Sequence, residues 1–519
     1  MKQSYFLKTI CLAALCSWAS SSSAMAENLN IFTEIGLKVS CDESSTDVVD
    51  DITVNIASLS WNVCGIWVTS TGSLGNVSAN INCINPNPPA MYGIRVEEGG
   101  TIGTISGTMK LAPGEGHVVG YMLGSLDGVS CLGLSSAQMG DEVTGDSYAV
   151  GDSTGFDVDW TSMSFDINHS NCSSGNIARG IYLNREGSSI ATGEGEYIGG
   201  TIDVLNEYDG DSDCIAIDID NKSHVGDIGK DAVIKARCKV NGDSTAIMLQ
   251  NGSSIGEIAG KITATAKTDN ATGIYVRGSE IGTIKGTIKA SSTKGQGTGI
   301  DYNTTQQLVF SGASITAESA ACLGTAIRNT EQGIRIMSEC GTVTTIQGNL
   351  DAGTQALSFD SGDFVVKSNT WTASSTSIGS VEGTAHVDLQ SDLKLQAPTL
   401  DFYINTESDY SNITIANGFS LDSTQLTSIN VYLSDEVMAM GEFDFTLIDG
   451  EIACLNEVQV NYILESPTTS GTLSHGSAED GSSFIVSLRG GDANVPEPST
   501  TSLGLIALAS MLLRRRRSR

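Results

Sequence analysis

The residues best suited to chemistry sit in four short patterns. Gly151-Asp152-Ser153-Thr154-Gly155 satisfies the G-x-S-x-G arrangement that sets a nucleophilic serine on a sharp turn. Gly242-Asp243-Ser244-Thr245-Ala246 carries nearly the same residues, and both patterns precede a strand-like run. A recurring corner, with Asp and Ser capping backbone groups, accounts for both copies. Asp218 and Asp220 lie two apart, as do Asp157 and Asp159, which on a strand turns both carboxylates to one face. Paired carboxylates can cleave glycosidic bonds by acid–base chemistry, although a solvated acidic face is their commoner use. Asp209, Asp211 and Asp213 offer oxygen ligands of the kind calcium takes, but the glycine and distal glutamate of a calcium loop are out of place. Residues 256–261 give only G-x-x-x-G-K with Ile262 next, which is not a phosphate-binding loop. No C-x-x-C pair exists and the five histidines are scattered, so no metal site and no cofactor beyond that calcium candidate is expected. No residue is assigned a catalytic role.

The elements that must position these residues come from a repeat. Thr245-Ala246-Ile247-Met248-Leu249 is followed by Gly252-Ser253-Ser254-Ile255-Gly256-Glu257-Ile258, and Thr272-Gly273-Ile274-Tyr275-Val276 by Gly278-Ser279-Glu280-Ile281-Gly282-Thr283-Ile284. Further copies begin at Gly65-Ile66, Gly93-Ile94, Gly180-Ile181, Ala216-Ile217, Gly299-Ile300 and Ala326-Ile327. Steps such as 247 to 274 and 300 to 327 set a period of about 27 residues, the mark of a solenoid. Glycines at 252, 256 and 260 rule out a helical second half, since each costs about 1 kcal/mol there relative to alanine. The β-branched residues between them favour strands. Three short strands per unit are predicted, at 274–276, 281–284 and 287–290, with glycines at the corners. That is one coil of a parallel β-helix, isoleucines inside and Lys, Glu, Thr and Asn outside.

The fold class expected is therefore all-β, a parallel β-helix over residues 27–385 with a β-rich C-terminal cap region over 386–490. The cap should shield the last coil, because an open end invites edge pairing. The net charge is −32, and removing the two leader lysines and five terminal arginines leaves the middle near −39. Such a body repels nucleic acid and anionic membrane surfaces. Cys214 and Cys238 lie 24 apart, about one repeat; stacking on adjacent coils and separate buried thiols both fit that spacing.

Both ends carry targeting features. Lys2 and Lys8, the apolar run 9–19 and the small residues Ala24-Met25-Ala26 form a secretory signal peptide over residues 1–26, cleaved after Ala26 and leading to an oxidising compartment. At the other end, Val495-Pro496-Glu497-Pro498 precedes an apolar run at 503–513 and then Arg514, Arg515, Arg516 and Arg517. By length alone, that run falls short of the ~30 Å hydrocarbon core. The segment 495–519 resembles the PEP-CTERM sorting domain, with its Pro-Glu-Pro signature, short C-terminal membrane helix and basic cluster. The resemblance implies export through the inner membrane, transient anchoring there with the arginines as a membrane stop, and processing near the motif by an exosortase-type enzyme.

The Gly-Ile coils and residues 441–448 also resemble passengers of autotransporter-type surface proteins, which implies a β-helix stalk used for adhesion or matrix contact. Together these readings predict an exported cell-surface or extracellular-matrix rod, not an enzyme, with polysaccharide or host glycan as partner. The alternative is a β-helix polysaccharide lyase or glycosidase acting on extracellular glycans.

Overall fold

A computed structural model describes residues 34–489, apart from 124–163 and shorter stretches between strands. The signal-cleavage residues Ala24 and Ala26, the pattern at 151–155, Asp157, Asp159, Asp209, Asp211 and the entire C-terminal segment 495–519 lie outside the described residues.

The described chain is a β-solenoid with three faces. Fifteen strands, from Glu34–Val39 to Glu451–Ala453, stack into the front sheet. The pairing along it is parallel throughout, for example Thr272 on Thr245 and Thr298 on Thr272. Each coil then turns through a corner strand of two residues such as Glu280–Ile281, crosses a side face, and returns along a back sheet in strands such as Thr287–Ser292. The three strands predicted for this unit are all present. The middle one is shorter than expected, and Ile284 forms a separate single-residue bridge on the side face.

The isoleucines of the repeat form one ladder. Leu37, Ile66, Ile94, Tyr121, Ile181, Ile217, Ile247, Ile274, Ile300 and Ile327 follow one another in register along the front sheet. A second ladder, Ile234, Ile262, Ile288, Ile315 and Ile346, climbs the back sheet beside alanines 236, 264, 290 and 317. The isoleucines of both ladders are buried in one continuous apolar core, against which Leu37 packs. In the front strands two successive residues point inward, such as Ala246 and Ile247, each flanked by outward-leaning neighbours. Only a small first residue fits that kink, which explains the recurring Gly-Ile and Ala-Ile.

The corner glycines answer to crowding, because the chains of successive coils nearly touch there. A Cβ on Gly282 would stand 2.6 Å from the Gly256 carbonyl oxygen, and one on Gly286 only 2.0 Å from that of Gly260. Contacts that short do not occur between real atoms, so Gly282 and Gly286 leave no room for a side chain.

Toward the C-terminus the side face widens from single bridges (Ile258, Ile284, Phe310) into a full sheet. The strand Ala356–Lys367 bends at Gly362 (φ 95°) and serves side and back sheets in turn. Larger side chains fill this wider section, where Phe359 packs against Phe364 and Trp371 with ring centroids 5.1 and 5.0 Å away. Parallel stacking continues beyond residue 385, through Leu393–Gln396, Ser420–Asp422 and Gln459–Leu464. Phe443–Asp449 then pairs antiparallel with Ser483–Arg489, which pairs antiparallel with Thr472–Ser477. That reversal ends the parallel stack and covers its back-sheet edge. The helix Asp435–Ala439 is one turn, and no helix among the described residues is long and apolar enough to cross a membrane.

Candidate functional site

The front sheet carries its chemistry on its outer surface. Every coil places a residue at the position one after the ladder isoleucine, and stacking sets these side chains in a column: Asp218, Met248, Tyr275, Asp301, Arg328 and Asp351. A parallel column of threonines, Thr245, Thr272, Thr298 and Thr325, runs beside it. Between them lies a shallow groove of about 390 Å³, lined among others by Thr272, Tyr275, Gln296, Thr298, Asp301 and Arg328.

The charges in this groove are already engaged. The Arg328 guanidinium lies 3.6 Å from Asp301 on one neighbouring coil and 3.7 Å from Asp351 on the other, and donates to Gln296 Oε1 at 3.0 Å. Burial pushes the Asp301 carboxyl above its ordinary pKa, with Arg328 opposing that shift. Asp243 Oδ1, at the groove's edge, accepts the backbone N–H of Asn270 at 2.8 Å. Further toward the N-terminus the column holds Trp67, with the Lys38 ammonium 4.2 Å and the Arg95 guanidinium 5.7 Å from its ring centroid. Such cation–π contacts fix aromatic rings on a sheet face.

Asp218 and Asp220 do not act as a pair. Asp218 is buried against Arg179, whose Nε lies 2.6 Å from its Oδ2 and whose guanidinium also covers the Tyr182 ring at 4.4 Å. Burial raises the Asp218 pKa despite that partner. Asp220 falls beyond the end of the strand Cys214–Ile219, where it accepts the Asn221 N–H and the Asn251 side-chain amide. The spacing of two suggested one face, but the strand stops between them. Nothing in the sequence marked Arg179 as the partner, since 39 residues separate it from Asp218.

The other patterns resolve as architecture. At Gly242-Asp243-Ser244 the chain turns a corner, with Gly242 at φ 108°. Ser244 is buried and its hydroxyl donates to the Ala236 carbonyl, while the Asp243 N–H donates to Asp213 Oδ1 at 2.8 Å. Asp213, the described member of the calcium candidate, thus caps the next coil's corner. Cys214 and Cys238 are both buried with their sulfurs 3.0 Å apart. They belong to the beginning and end of one coil, because this coil steps 30 residues, from Ile217 to Ile247.

A second polar surface lies on the widened side sheet. Asn461 Nδ2 donates to Asn430 Oδ1, and Asn430 Nδ2 donates to Asp401 Oδ1 at 2.8 Å, so the amides form a directed chain across three coils. Tyr403 and Tyr432 stack beside it with centroids 4.5 Å apart and planes within 6°. Burial, with Asp401 and Tyr403 adding to it, pushes the Tyr432 phenol well up. Neither feature was legible beforehand, because the spacing of these residues becomes regular only once coil lengths are known.

Fold and surface therefore define a β-solenoid protein whose outer columns repeat from coil to coil. The PEP-CTERM protein-sorting motif matches residues 494–518, a stretch that contains Val495, Pro496, Glu497, Pro498 and the arginines 514–517. The chain thus carries a signal for exosortase processing, and with it the implication of export and attachment to the cell envelope or surface. No curated protein matches the chain.

Proposed function

We propose that this is a structural and adhesive rod of the cell envelope, which engages extracellular polysaccharide or host glycan and has no catalytic activity. The observation that carries the reading is the groove on the front sheet. Its threonine column, Gln296 and Tyr275 offer hydroxyls, an amide and a ring face to a sugar chain at the regular interval of the coils. The carboxylates there are held in ion pairs and caps, which suits a binding surface better than a general acid and base. The lyase or glycosidase reading draws its support from Asp301, whose raised pKa is the property a general acid needs. We further propose that residues 503–513 hold the precursor in the inner membrane, and that the rod needs neither calcium nor another cofactor.

A glycan-binding screen of the exported protein, with sugar release followed in parallel, tests this. The rod reading expects binding without bond cleavage, and weakening by about tenfold or more in Tyr275→Ala, as removal of a central aromatic contact gives. Release of new reducing or unsaturated sugar ends, lost in Asp301→Asn, would establish the enzyme instead.

A further inference from the structure

We propose that Cys214 and Cys238 form a disulfide that closes one coil of the solenoid into a covalent ring. Their sulfurs stand 3.0 Å apart in the core. The corner they share is built for small side chains. Residues in register with Cys214 are Ala178 and Ser244, followed by Ala271 and Gly297. Those in register with Cys238 are Asn206 and Ala266, followed by Ser292 and Ser319. The Cys214 place is otherwise filled by Ala, Ser or Gly and the Cys238 place by Asn, Ala or Ser, and in this coil alone among those just named both places are cysteine. The bond would join the front strand Cys214–Ile219 to the back strand Val233–Cys238, 24 residues on. Cross-linking residues that far apart removes loop entropy from the unfolded chain.

The chemistry also sets the order of events. Cys214 is fully buried and Cys238 is 3% exposed. The hydrogen bond between the thiols, and burial, hold the Cys238 thiol far above its ordinary pKa. Only a thiolate attacks a disulfide, so the packed coil exchanges slowly. The bond forms while the coil is still open. One cysteine thiolate attacks a disulfide of an envelope thiol oxidase and releases one of its sulfurs as a thiol. The second cysteine then displaces the other, so the two cysteines lose two electrons and two protons and the oxidase disulfide becomes a dithiol. The inference rests on export to an oxidising compartment, and refolding in vitro tests the geometry apart from that.

Full-length protein recovered from an envelope fraction is alkylated in denaturant without reductant and digested. The expected result is a linked peptide pair containing Cys214 and Cys238. The same protein, reduced, unfolded and refolded in a mixture of reduced and oxidised glutathione, should regain that link, whereas reduced protein already folded should acquire it at least tenfold more slowly. Cys214→Ala/Cys238→Ala should fold, and should melt with the reduced protein and below the oxidised one. Alkylation of both cysteines in the refolded sample would overturn the proposal. A link in refolded protein but not in the envelope sample would overturn its occurrence in the cell. Rapid oxidation of the folded, reduced chain would overturn the order of events.

Discussion

Gly273 on the front sheet lies directly against the Cγ2 methyl of Ile288 on the back sheet, where a Cβ would stand 2.5 Å from that methyl and 2.5 Å from the Gly299 carbonyl oxygen. The same relationship joins Gly65 to Ile81, Gly180 to Ile202 and Gly299 to Ile315. The two ladders interlock through this vacancy, so the Gly-Ile pair of each repeat is a packing device between faces.

Enlarging the glycine should therefore wedge the faces apart. We predict that Gly273→Val destabilises by about 3 kcal/mol, the upper range for overpacking a core. Gly273→Ala should cost less, because Ala246 occupies the equivalent place one coil earlier. Chemical denaturation monitored by circular dichroism measures both, and equal losses would mean that the contact does not set the spacing.

The inward and outward faces can be told apart by mutation. Ile274 is fully buried, so Ile274→Ala should cost about 3 kcal/mol and Ile274→Asp more, through an unpaired buried charge. Lys285 is exposed and pairs with Glu257 of the preceding coil at 2.7 Å. Lys285→Ala should leave the melting temperature almost unchanged, as exposed pairs contribute little. Comparable shifts from Ile274→Ala and Lys285→Ala would contradict the assignment of faces.

Much of this was legible in the sequence because the repeat spells itself out: every Gly-Ile or Ala-Ile pair from Ile66 to Ile327 lies on one ladder. The rungs at Tyr121, Leu350 and Trp371 were not, since another residue type fills the same place. Coil length varies at loops and corners, which hides partnerships that depend on it. Thus the spacing of Cys214 and Cys238 fits stacking on adjacent coils as well as separate buried thiols, yet they face each other within one coil. Asp218, spaced to share a face with Asp220, is held by Arg179. The Asn and Tyr columns of the side sheet lie where the repeat is no longer written in glycines.

The contribution of the buried carboxyls to stability should fall as pH rises from the acid range. Burial is the leading cause of the raised pKa values of Asp218, Asp301 and Asp401. A carboxyl whose folded pKa exceeds its unfolded value keeps its proton more tightly when folded. Its contribution is thus greatest below the unfolded value of about 3.9 and is lost as pH climbs through the folded one. Asp444, held low by Ser487 and Arg489, works the other way. Asp401→Asn removes one of the raised groups. Its melting temperature, relative to the natural protein, should rise progressively above pH 4. A relative fall over that range would show that ionised Asp401 stabilises the fold.

Sorting of the tail gives the most direct test of the account as a whole, because it joins export, envelope delivery and the Pro496-Glu497-Pro498 signature in one molecule. The apolar run should hold the precursor, the arginines should stop its passage, and cleavage should release the rod near the signature. The measurement is mass spectrometry of the C-terminal peptide of the mature protein, taken from the surface fraction of a native host. The account predicts a terminus close to Pro498 in the natural chain, and an uncleaved, membrane-held form when residues 496–498 are alanine. Mature surface protein that still ends at Arg519 would contradict it, leaving the tail a plain anchor.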